Sequence, residues 1–196
     1  MNNIISNKCC GRLDMVIGPM FSGKSSELIK RINLFKVLNK EILVIKPIID
    51  NRYTENSIST HDKITYKSIN ITLLKEIKEK YLEDYNNADV LIIEEGQFIN
   101  DLYDFVKNSV DNDLKHIVVA GLSGDSNRKS IGQILSLVPL ADDIDHKKAL
   151  CTLCCDGTTA SFTFKKIKDT NQVLIGGDDI YMPLCRFHYN FESKKE

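Results

Sequence analysis

The chain of 196 residues carries 26 basic and 27 acidic residues, and a net charge of -1 gives no support for binding to nucleic acid or to a membrane surface. Its length predicts one domain, or one domain with a small appendage, and hydrophobic residues at 42% are ordinary for a globular protein. The sequence shows no apolar run of membrane-spanning length and no signal-peptide pattern, which predicts a cytoplasmic protein. Six cysteines in such a compartment indicate metal binding or free thiols before disulfides.

Residues 18–25 read Gly-x-x-x-x-Gly-Lys-Ser, the pattern of a loop that holds the phosphates of a nucleoside triphosphate. Such a loop aims several backbone N–H groups at one anion, and its glycines keep the space clear and permit unusual backbone angles. A buried strand over 13–17 and a helix over 27–38 are predicted on either side, which is the order that the motif needs. The residues predicted to contact ATP here are Gly18, Pro19, Met20, Phe21, Ser22, Gly23, Lys24 and Ser25.

Within this phosphate loop (residues 18–25), two side chains have specific chemistry. Lys24 can bring positive charge to the β- and γ-phosphates, and the hydroxyl group of Ser25 can hold Mg²⁺. The helix that starts near Gly23 points its positive end at the bound anion.

The next segments are a strand and a long polar stretch. Residues 41–47 predict a second buried strand that Pro47 stops. Few apolar residues are periodic over 48–66, which predicts a long mobile loop beside the phosphate site, the usual form of an active-site flap. Arg52 in that loop could contact phosphate oxygens or could be solvated, and its position in the sequence does not distinguish between these two roles. Arg128 and Lys129, in a later glycine-punctuated stretch, could also face phosphates.

A run of apolar β-formers at 89–93 ends in two carboxylates, Glu94 and Glu95. Ligands of a parallel sheet bind at the carboxyl ends of its strands, so both carboxylates are predicted to lie near the phosphate loop. Consecutive strand residues point to opposite faces, which predicts different roles for the two. One can hold Mg²⁺, directly or through water, and the other can accept a proton from an attacking hydroxyl group.

Strands and helices alternate through the rest of the first 140 residues. An amphipathic helix is predicted over 73–85 with Leu82 on its apolar side, a helix over 102–110, and a buried strand over 116–120. This alternation predicts an α/β fold over residues 1–148, a RecA-like P-loop domain whose parallel sheet has helices on both faces.

The C-terminal part, predicted as a second domain over 149–196, changes character. It holds two pairs of possible metal ligands with thirty residues between them: Cys151, Cys154, Cys185 and His188. Two-residue spacers in both pairs are typical of a zinc ribbon, in which all four positions are filled by side chains and Zn²⁺ is structural. Such a metal can supply on the order of 10 kcal/mol of folding free energy. Cys155 is interpreted as a bystander, and residues 161–164 and 172–177 are predicted to be hairpin-like.

In combination these motifs resemble thymidine kinases of the class shared by animal cells, bacteria and large DNA viruses. The resemblance runs from Met15 to Tyr189 and includes five segments in the family's order. They are Gly18–Ser25, Asp50-x-Arg52-Tyr53 with Thr60-His61-Asp62, Glu95-Gly96-Gln97-Phe98, Leu137-Val138-Pro139-Leu140-Ala141, and Ile175-Gly176-Gly177 with Tyr181 and Cys185.

The resemblance implies transfer of the γ-phosphoryl group from Mg²⁺-bound ATP to the 5′-hydroxyl group of deoxythymidine. It implies that Glu95 is the proton acceptor and that Asp50, Arg52, Glu94 and Gln97 join the phosphate loop in binding ATP. The residues implied to bind deoxythymidine are Met20, Leu122, Ser126, Thr163, Gln172, Val173, Leu174, Ile175, Gly176 and Tyr181. It also implies a homotetramer that dTTP inhibits.

Three positions depart from the family pattern. Glu94 stands where the family usually has aspartate, and its longer side chain can still reach a Mg²⁺-bound water. Ser126 and Ile131 stand where the family has aromatic residues near the base, and losing a ring costs roughly 1 kcal/mol in packing. That loss could loosen the pocket towards deoxyuridine or other pyrimidines. The alternatives are a broader pyrimidine deoxynucleoside kinase, a nucleic-acid-dependent P-loop ATPase, and a homologue that binds nucleotides as a regulator.

Overall fold

We describe the protein from a computed structural model that covers residues 10–48, 57–59, 65–167, 172, 174 and 176–195. Its strands are β1 (Arg12–Gly18), β2 (Ile42–Pro47), β3 (Ser57–Ser59), β4 (Thr65–Lys67), β5 (Ile69–Ile71), β6 (Val90–Ile93), β7 (His116–Leu122), β8 (Asp143–His146), β9 (Ala149–Leu150), β10 (Thr159–Ala160), β11 (Phe162–Lys165) and β12 (Tyr181–Leu184). Its helices are α1 (Lys24–Val37), α2 (Lys75–Lys80), α3 (Leu82–Asn87), α4 (Leu102–Asp111) and α5 (Arg186–Glu192), with 3-10 helices at Gly96–Phe98 and Ile134–Leu140.

Six strands form one parallel sheet in the order β5-β2-β6-β7-β1-β8. The central strand β6 reads Val-Leu-Ile-Ile, and all four residues are buried. A parallel sheet is covered on both faces, which is why its strands read as continuous apolar runs. The predicted α/β fold is confirmed.

Helices cover both faces of this sheet. On one face, α1 buries Leu28 and Ile32 against Val16 of β1. On the other face, Met15 of β1 belongs to a larger core that includes Val106 of α4 and residues of α2 and α3. Among the described residues, no helix is both long and apolar enough to cross a membrane.

The single helix predicted over 73–85 is wrong, because α2 and α3 are separate helices that meet at Tyr81. Tyr81 leaves the helical conformation, with φ -131° and ψ 36°. Leu82 is 51% exposed and does not lie on an apolar side. The apolar spacing misleads because Tyr85 of α3 returns to the core at 3% exposure, so the periodicity continues across the break.

Several short strands are not predicted by the sequence pattern, among them β5, β9, β10 and β12. Within 48–66, predicted as loop, β3 pairs antiparallel with β4. Farther along, β8 pairs with β1 at the edge of the main sheet, although its sequence Asp-Ile-Asp-His holds one apolar residue. Short and polar strands depend on pairing with a neighbour, which a periodicity of apolar residues does not report.

The hairpin predicted from 161–164 and 172–177 is also wrong in its pairing. Strand β11 pairs with β12, which places Phe162 opposite Leu184, and β9 pairs with β10. The described residues within 172–177 lie in no strand. We call residues 149–195 the C-terminal unit, and its small core includes Phe164, Leu184 and Tyr189.

A buried carboxylate in β1 makes the stability of the fold depend on pH. Asp14 is 6% exposed, and its oxygens lie 2.9 Å from Nε2 of His116 and 2.8 Å from Nε of Arg12. Burial raises the pKa of Asp14, but the hydrogen bond with His116 and the charges of His116, Arg12 and Arg31 together lower that pKa below its ordinary 3.8. A depressed folded-state pKa contributes stability that is present above the unfolded-state pKa and is lost as pH falls through the folded-state pKa.

We therefore expect the free energy of unfolding to decrease as the pH is lowered below about 4. Asp14→Asn should make this decrease smaller, because it removes the titrating group. Urea denaturation at a series of acidic pH values measures the slope. Asp143→Asn is the control, because Asp143 is exposed on the edge strand. If both variants kept the slope of the unsubstituted protein, the pH dependence would have another source.

Candidate active site and metal centre

The phosphate loop connects β1 to α1 and is held by hydrogen bonds to its own backbone. The hydroxyl group of Ser22 donates to the carbonyl of Pro19 at 2.8 Å, and the ammonium group of Lys24 donates to the same oxygen at 2.7 Å. Gly23, immediately before α1, has φ 78°, which glycine adopts without a steric cost. A Cβ on Gly18 would lie 2.7 Å from the Ser22 hydroxyl oxygen. Both glycines of the motif are therefore required by geometry.

The first residue after β6 lies directly against this loop. The hydroxyl group of Ser25 donates to Oε1 of Glu94 at 2.6 Å, and Glu94 is 7% exposed. A buried carboxylate beside a hydroxyl group supplies the oxygen ligands that Mg²⁺ prefers, so this pair fits a Mg²⁺ ion that accompanies a triphosphate. The longer side chain of Glu94, which departs from the family pattern, still reaches Ser25.

The second carboxylate, Glu95, has a different set of partners. Its Oε2 accepts a hydrogen bond from Nε2 of Gln97 at 2.5 Å, and Oε1 of Gln97 accepts one from the N–H of Leu122 at 3.1 Å. Gln97 is 3% exposed, so it fixes Glu95 between the ends of β6 and β7. Glu95 has a left-handed backbone, with φ 50° and ψ 42°. The two carboxylates diverge because of this turn and not through strand alternation, because β6 ends at Ile93.

Two glycines enclose the side chain and backbone of Gln97. A Cβ on Gly121 would lie 2.1 Å from Oε1 of Gln97, and a Cβ on Gly132 would lie 2.0 Å from its carbonyl oxygen. Gly132 also has φ 56°, which favours glycine. The position of the glutamine that holds Glu95 therefore depends on the absence of side chains at both sites.

Gly132→Ala is expected to lower the free energy of unfolding by about 3 kcal/mol or more, because it adds a clash with backbone to left-handed strain. Urea denaturation measures the loss. Gly157→Ala is the matched control, since Gly157 has φ 88° but a Cβ added there would have no atom within 4 Å. That variant should lose only about 1 kcal/mol from strain. Equal losses in the two variants would contradict the close packing around Gln97.

The C-terminal unit contacts the phosphate loop through β11. The N–H of Met20 donates to Oγ1 of Thr163 at 3.0 Å, and Thr163 is 4% exposed. The structure therefore brings together two residues that were predicted for the nucleoside site, although 143 positions separate them in sequence.

Two of the described residues of the predicted nucleoside-binding lasso (residues 172–176) take part in hydrogen bonds with the rest of the protein. The hydroxyl group of Tyr181 donates to the carbonyl of Leu174 at 2.8 Å. Nε2 of Gln172 donates to Oδ2 of Asp125 at 2.9 Å. Gly176 packs against Ile180, because a Cβ there would lie 2.2 Å from that side chain.

Other predicted site residues have contacts that the sequence does not indicate. Ser126 offers its carbonyl to the hydroxyl group of Tyr189 at 2.5 Å. The guanidinium group of Arg128 lies 4.4 Å from the centre of the Tyr189 ring and donates to Asn190. Arg128 is thus engaged with α5 of the C-terminal unit. The predicted site residues that lie outside the described residues are Asp50, Arg52, Val173 and Ile175.

Asp125 is the residue of this region that sequence reasoning missed. It is 6% exposed, and its carboxylate accepts hydrogen bonds from the backbone of its own loop and from Gln172. The only available signal was an aspartate followed by Ser-Asn, a composition typical of turns, which does not identify a distant partner.

The four predicted metal ligands converge in the C-terminal unit. Cys151, Cys154, Cys185 and His188 place their ligand atoms within 4.8 Å of one another. The sulfurs of Cys154 and Cys185 are 3.8 Å apart, and Nδ1 of His188 lies 3.3–3.5 Å from the three sulfurs. A tetrahedral ion with the usual Zn–S and Zn–N bonds separates two sulfurs by about 3.8 Å and sulfur from nitrogen by about 3.5 Å. The four side chains therefore fit Zn²⁺.

The electrostatics of the cluster favour a metal-binding thiolate at Cys151. Burial raises the pKa of Cys151, but hydrogen bonds from the backbone N–H groups of Cys185, Cys154 and Leu153 outweigh burial and lower the pKa to about 6. Burial, together with the neighbouring Cys151, raises the pKa of Cys154 to about 11. Zinc binding would therefore release a proton from Cys154. Cys155 lies outside the cluster, and its thiol donates to the carbonyl of Thr152 at 3.1 Å.

Comparison with known proteins agrees with this geometry. A family model described as thymidine kinase matches residues 11–189. The chain is 42% identical to thymidine kinase a of Arabidopsis thaliana, over 91% of this chain and 75% of that protein. It is 37% identical to the cytosolic thymidine kinase of Bos taurus, over 93% and 74%, and 36% identical to thymidine kinase of Vaccinia virus (strain Ankara), over 91% and 97%. The resemblance predicted from the motifs is thus confirmed, and the chain belongs to the thymidine kinase family.

Proposed function

We propose that the protein transfers the γ-phosphoryl group of ATP to the 5′-hydroxyl group of deoxythymidine and releases dTMP and ADP. The observation that carries this proposal is the arrangement of the two carboxylates after β6. Glu94 faces Ser25 of the phosphate loop at 2.6 Å, and the next residue, Glu95, is held apart by Gln97. A metal-binding carboxylate beside a separate proton acceptor is what phosphoryl transfer to an alcohol needs. Membership of the thymidine kinase family supports the same reaction.

The phosphate loop would bind the triphosphate through its backbone N–H groups. Lys24 would exchange the carbonyl of Pro19 for oxygens of the β- and γ-phosphates. Ser25 and Glu94 would hold Mg²⁺, which neutralises charge on the phosphate oxygens when it is bound. We propose that Asp50 and Arg52 also contact ATP, as the family pattern implies.

Glu95 would accept the proton of the 5′-hydroxyl group while the oxygen of that hydroxyl group forms a bond to the γ-phosphorus. The bond between that phosphorus and the ADP oxygen breaks, and ADP departs with the electron pair. Gln97 donates to Oε2 of Glu95 and so holds the carboxylate in the orientation in which it would meet the hydroxyl group. The reacting oxygen must lie about 3 Å from both the carboxylate and the phosphorus for in-line transfer.

The nucleoside would bind between Met20, Thr163 and the lasso. Buried backbone groups discriminate a pyrimidine edge sharply, because a wrong edge leaves them without a partner. We propose that Val173 and Ile175 also bind the nucleoside, together with Gln172, Leu174, Gly176 and Tyr181. Ser126 and the buried Ile131 provide no aromatic ring, which favours some tolerance of other pyrimidine deoxynucleosides.

A nucleoside panel tests this function. Phosphate transfer from ATP should be fastest to deoxythymidine, slower to deoxyuridine, and absent without Mg²⁺. We also propose that dTTP inhibits the enzyme, as the family resemblance implies, and the same panel with added dTTP tests this. ATP hydrolysis that depends on added DNA or RNA, with no nucleoside product, would overturn the proposal in favour of a nucleic-acid-dependent ATPase.

Further proposals concern the organisation of the protein. We propose a homotetramer, which light scattering of the purified protein tests, and a structural Zn²⁺ ion in the Cys/His cluster.

We propose a cytoplasmic location, which the name of the bovine relative supports and fractionation of cells tests. We also propose that the boundary at residues 148 and 149 separates two domains, which limited proteolysis tests.

A further inference from the structure

We propose that Asp125 is a positioning residue that holds the lasso in its nucleoside-binding place and connects it to helix α5 beside the metal cluster. The inference rests on the proposed nucleoside site, because the lasso is the segment whose backbone is proposed to hold the base. It adds a side chain whose carboxylate oxygens accept hydrogen bonds from Asn127, Lys129 and Gln172.

The carboxylate of Asp125 divides its two oxygens between two segments. Oδ1 accepts hydrogen bonds from the N–H groups of Asn127 and Lys129, both at 2.8 Å, and thereby shapes its own loop. Oδ2 accepts a hydrogen bond from Nε2 of Gln172 at 2.9 Å. Asp125 is 6% exposed, so its carboxylate is shielded from water that could replace these donors. A charged acceptor in such a place makes a stronger hydrogen bond than a neutral one.

The amide nitrogen of Gln172, an exposed residue, donates twice to this loop. One hydrogen of Nε2 is directed to Asp125, and the other to the carbonyl of Ser130 at 3.1 Å. Both acceptors belong to one loop, between β7 and the second 3-10 helix. The two hydrogen bonds therefore tie the start of the lasso to this loop.

The same loop is fixed from its other side by α5. Tyr189 follows the metal ligand His188 in sequence, is 5% exposed, and donates its hydroxyl group to the carbonyl of Ser126 at 2.5 Å. Its ring packs against Phe162 and Phe164 of β11, with ring centres 5.4 and 5.9 Å apart. Helix α5 thus contacts the loop at Ser126, which is adjacent to Asp125.

These contacts form one continuous connection from the metal cluster to the lasso. It runs from His188 to Tyr189, across to Ser126 and Asp125, and then to Gln172. Disturbing this connection should weaken nucleoside binding while leaving the phosphate loop unchanged, because none of its hydrogen bonds involves residues 18–25. The expected signature is a higher KM for deoxythymidine at an unchanged KM for ATP.

A reciprocal exchange of donor and acceptor tests the contact. In Asp125→Asn, Oδ1 can still accept from the loop backbone, but an amide N–H₂ faces the amide of Gln172. In Gln172→Glu, two carboxylates face each other. We expect KM for deoxythymidine to rise about tenfold in Asp125→Asn, the scale of one lost hydrogen bond to a charged group, and further in Gln172→Glu. The double variant restores a donor to an acceptor, so its KM should lie below that of Gln172→Glu alone.

Tyr189→Phe tests the second half of the connection, because it removes only the hydroxyl group that contacts Ser126. It should raise KM for deoxythymidine several-fold while the protein retains its zinc content. Tyr85→Phe is the matched control, since the Tyr85 hydroxyl group is hydrogen-bonded to Ser109 of α4 and to Asp113 just after it. Asp142→Asn is the control for Asp125→Asn. Asp142 lies just before β8, and its carboxylate also accepts a hydrogen bond from a backbone N–H group, that of Leu13.

The outcomes separate this inference from the proposed function. If the unsubstituted protein phosphorylates deoxythymidine but the double variant binds it no better than Gln172→Glu, the positioning role is refuted and the function stands. A rise in the KM for ATP as large as the rise in the KM for deoxythymidine would also refute the positioning role, because it would indicate general damage to the protein. If the unsubstituted protein phosphorylates no nucleoside, the proposed function itself fails.

Discussion

Replacing Glu95 by glutamine is expected to remove most phosphoryl transfer while ATP binding stays intact. The substitution keeps the size of the side chain but removes the carboxylate that would accept the proton of the 5′-hydroxyl group. General-base catalysis contributes about 10²–10⁴-fold, so the turnover number should fall by that factor. Steady-state kinetics give the turnover number, and calorimetric titration with a non-hydrolysable ATP analogue gives the affinity.

Glu83→Gln is the control for this substitution, because Glu83 lies exposed in the first turn of α3. It should retain the turnover of the unsubstituted protein. Normal turnover in Glu95→Gln would show that Glu95 is not the base. A loss of ATP affinity of similar size would instead assign Glu95 to nucleotide binding.

Removing one thiol ligand is expected to unfold the C-terminal unit. In Cys154→Ser, the four-ligand cluster that fits Zn²⁺ loses a sulfur, and structural zinc sites supply on the order of 10 kcal/mol of folding free energy. Whole domains are stable by only about 5–15 kcal/mol, so a small core such as that of Phe164, Leu184 and Tyr189 should not survive the loss. Elemental analysis and thermal denaturation measure metal content and stability, and titration with deoxythymidine measures its binding.

Cys155→Ser is a close control, because it changes the neighbouring thiol, which lies outside the cluster. It should keep one zinc ion per chain and normal nucleoside binding. Active, folded Cys154→Ser protein without zinc would show that the ion is not structural. Equal effects of the two substitutions would show that the thiols act through something other than metal binding.

The four inner strands of the main sheet, β2, β6, β7 and β1, could be predicted because they are buried on both faces. The run that ends at Glu94 has no polar residue to interrupt it, and such a run allows few other structures. The prediction of a single helix over 73–85 was wrong because Tyr85 keeps the helical spacing of apolar residues after the break at Tyr81. The edge strand β8 gave no pattern at all, since its stability comes from hydrogen bonds to β1 and not from burial.

The candidate site could be predicted where chemistry demands a local motif. The phosphate loop and the two Cys-x-x-Cys/His pairs carry their geometry in their spacing, because each segment binds one ligand through consecutive or near-consecutive residues. The contact of Asp125 with Gln172 is different, since it joins residues 47 positions apart and either one could be an ordinary polar loop residue. Pairings of that kind depend on the tertiary structure and leave no periodic signal.

The composition of strand β8 has a consequence for how the molecule meets other copies of itself. An outermost strand leaves one row of backbone donors and acceptors open, which invites strand addition and aggregation. Here that border carries Asp143 and Asp145, with Ile144, which is 38% exposed, between them. A second chain that added there would have to strip water from the exposed carboxylate of Asp143 beside the ion pair of Asp145 with Lys147, so this border of the sheet resists growth into fibrils.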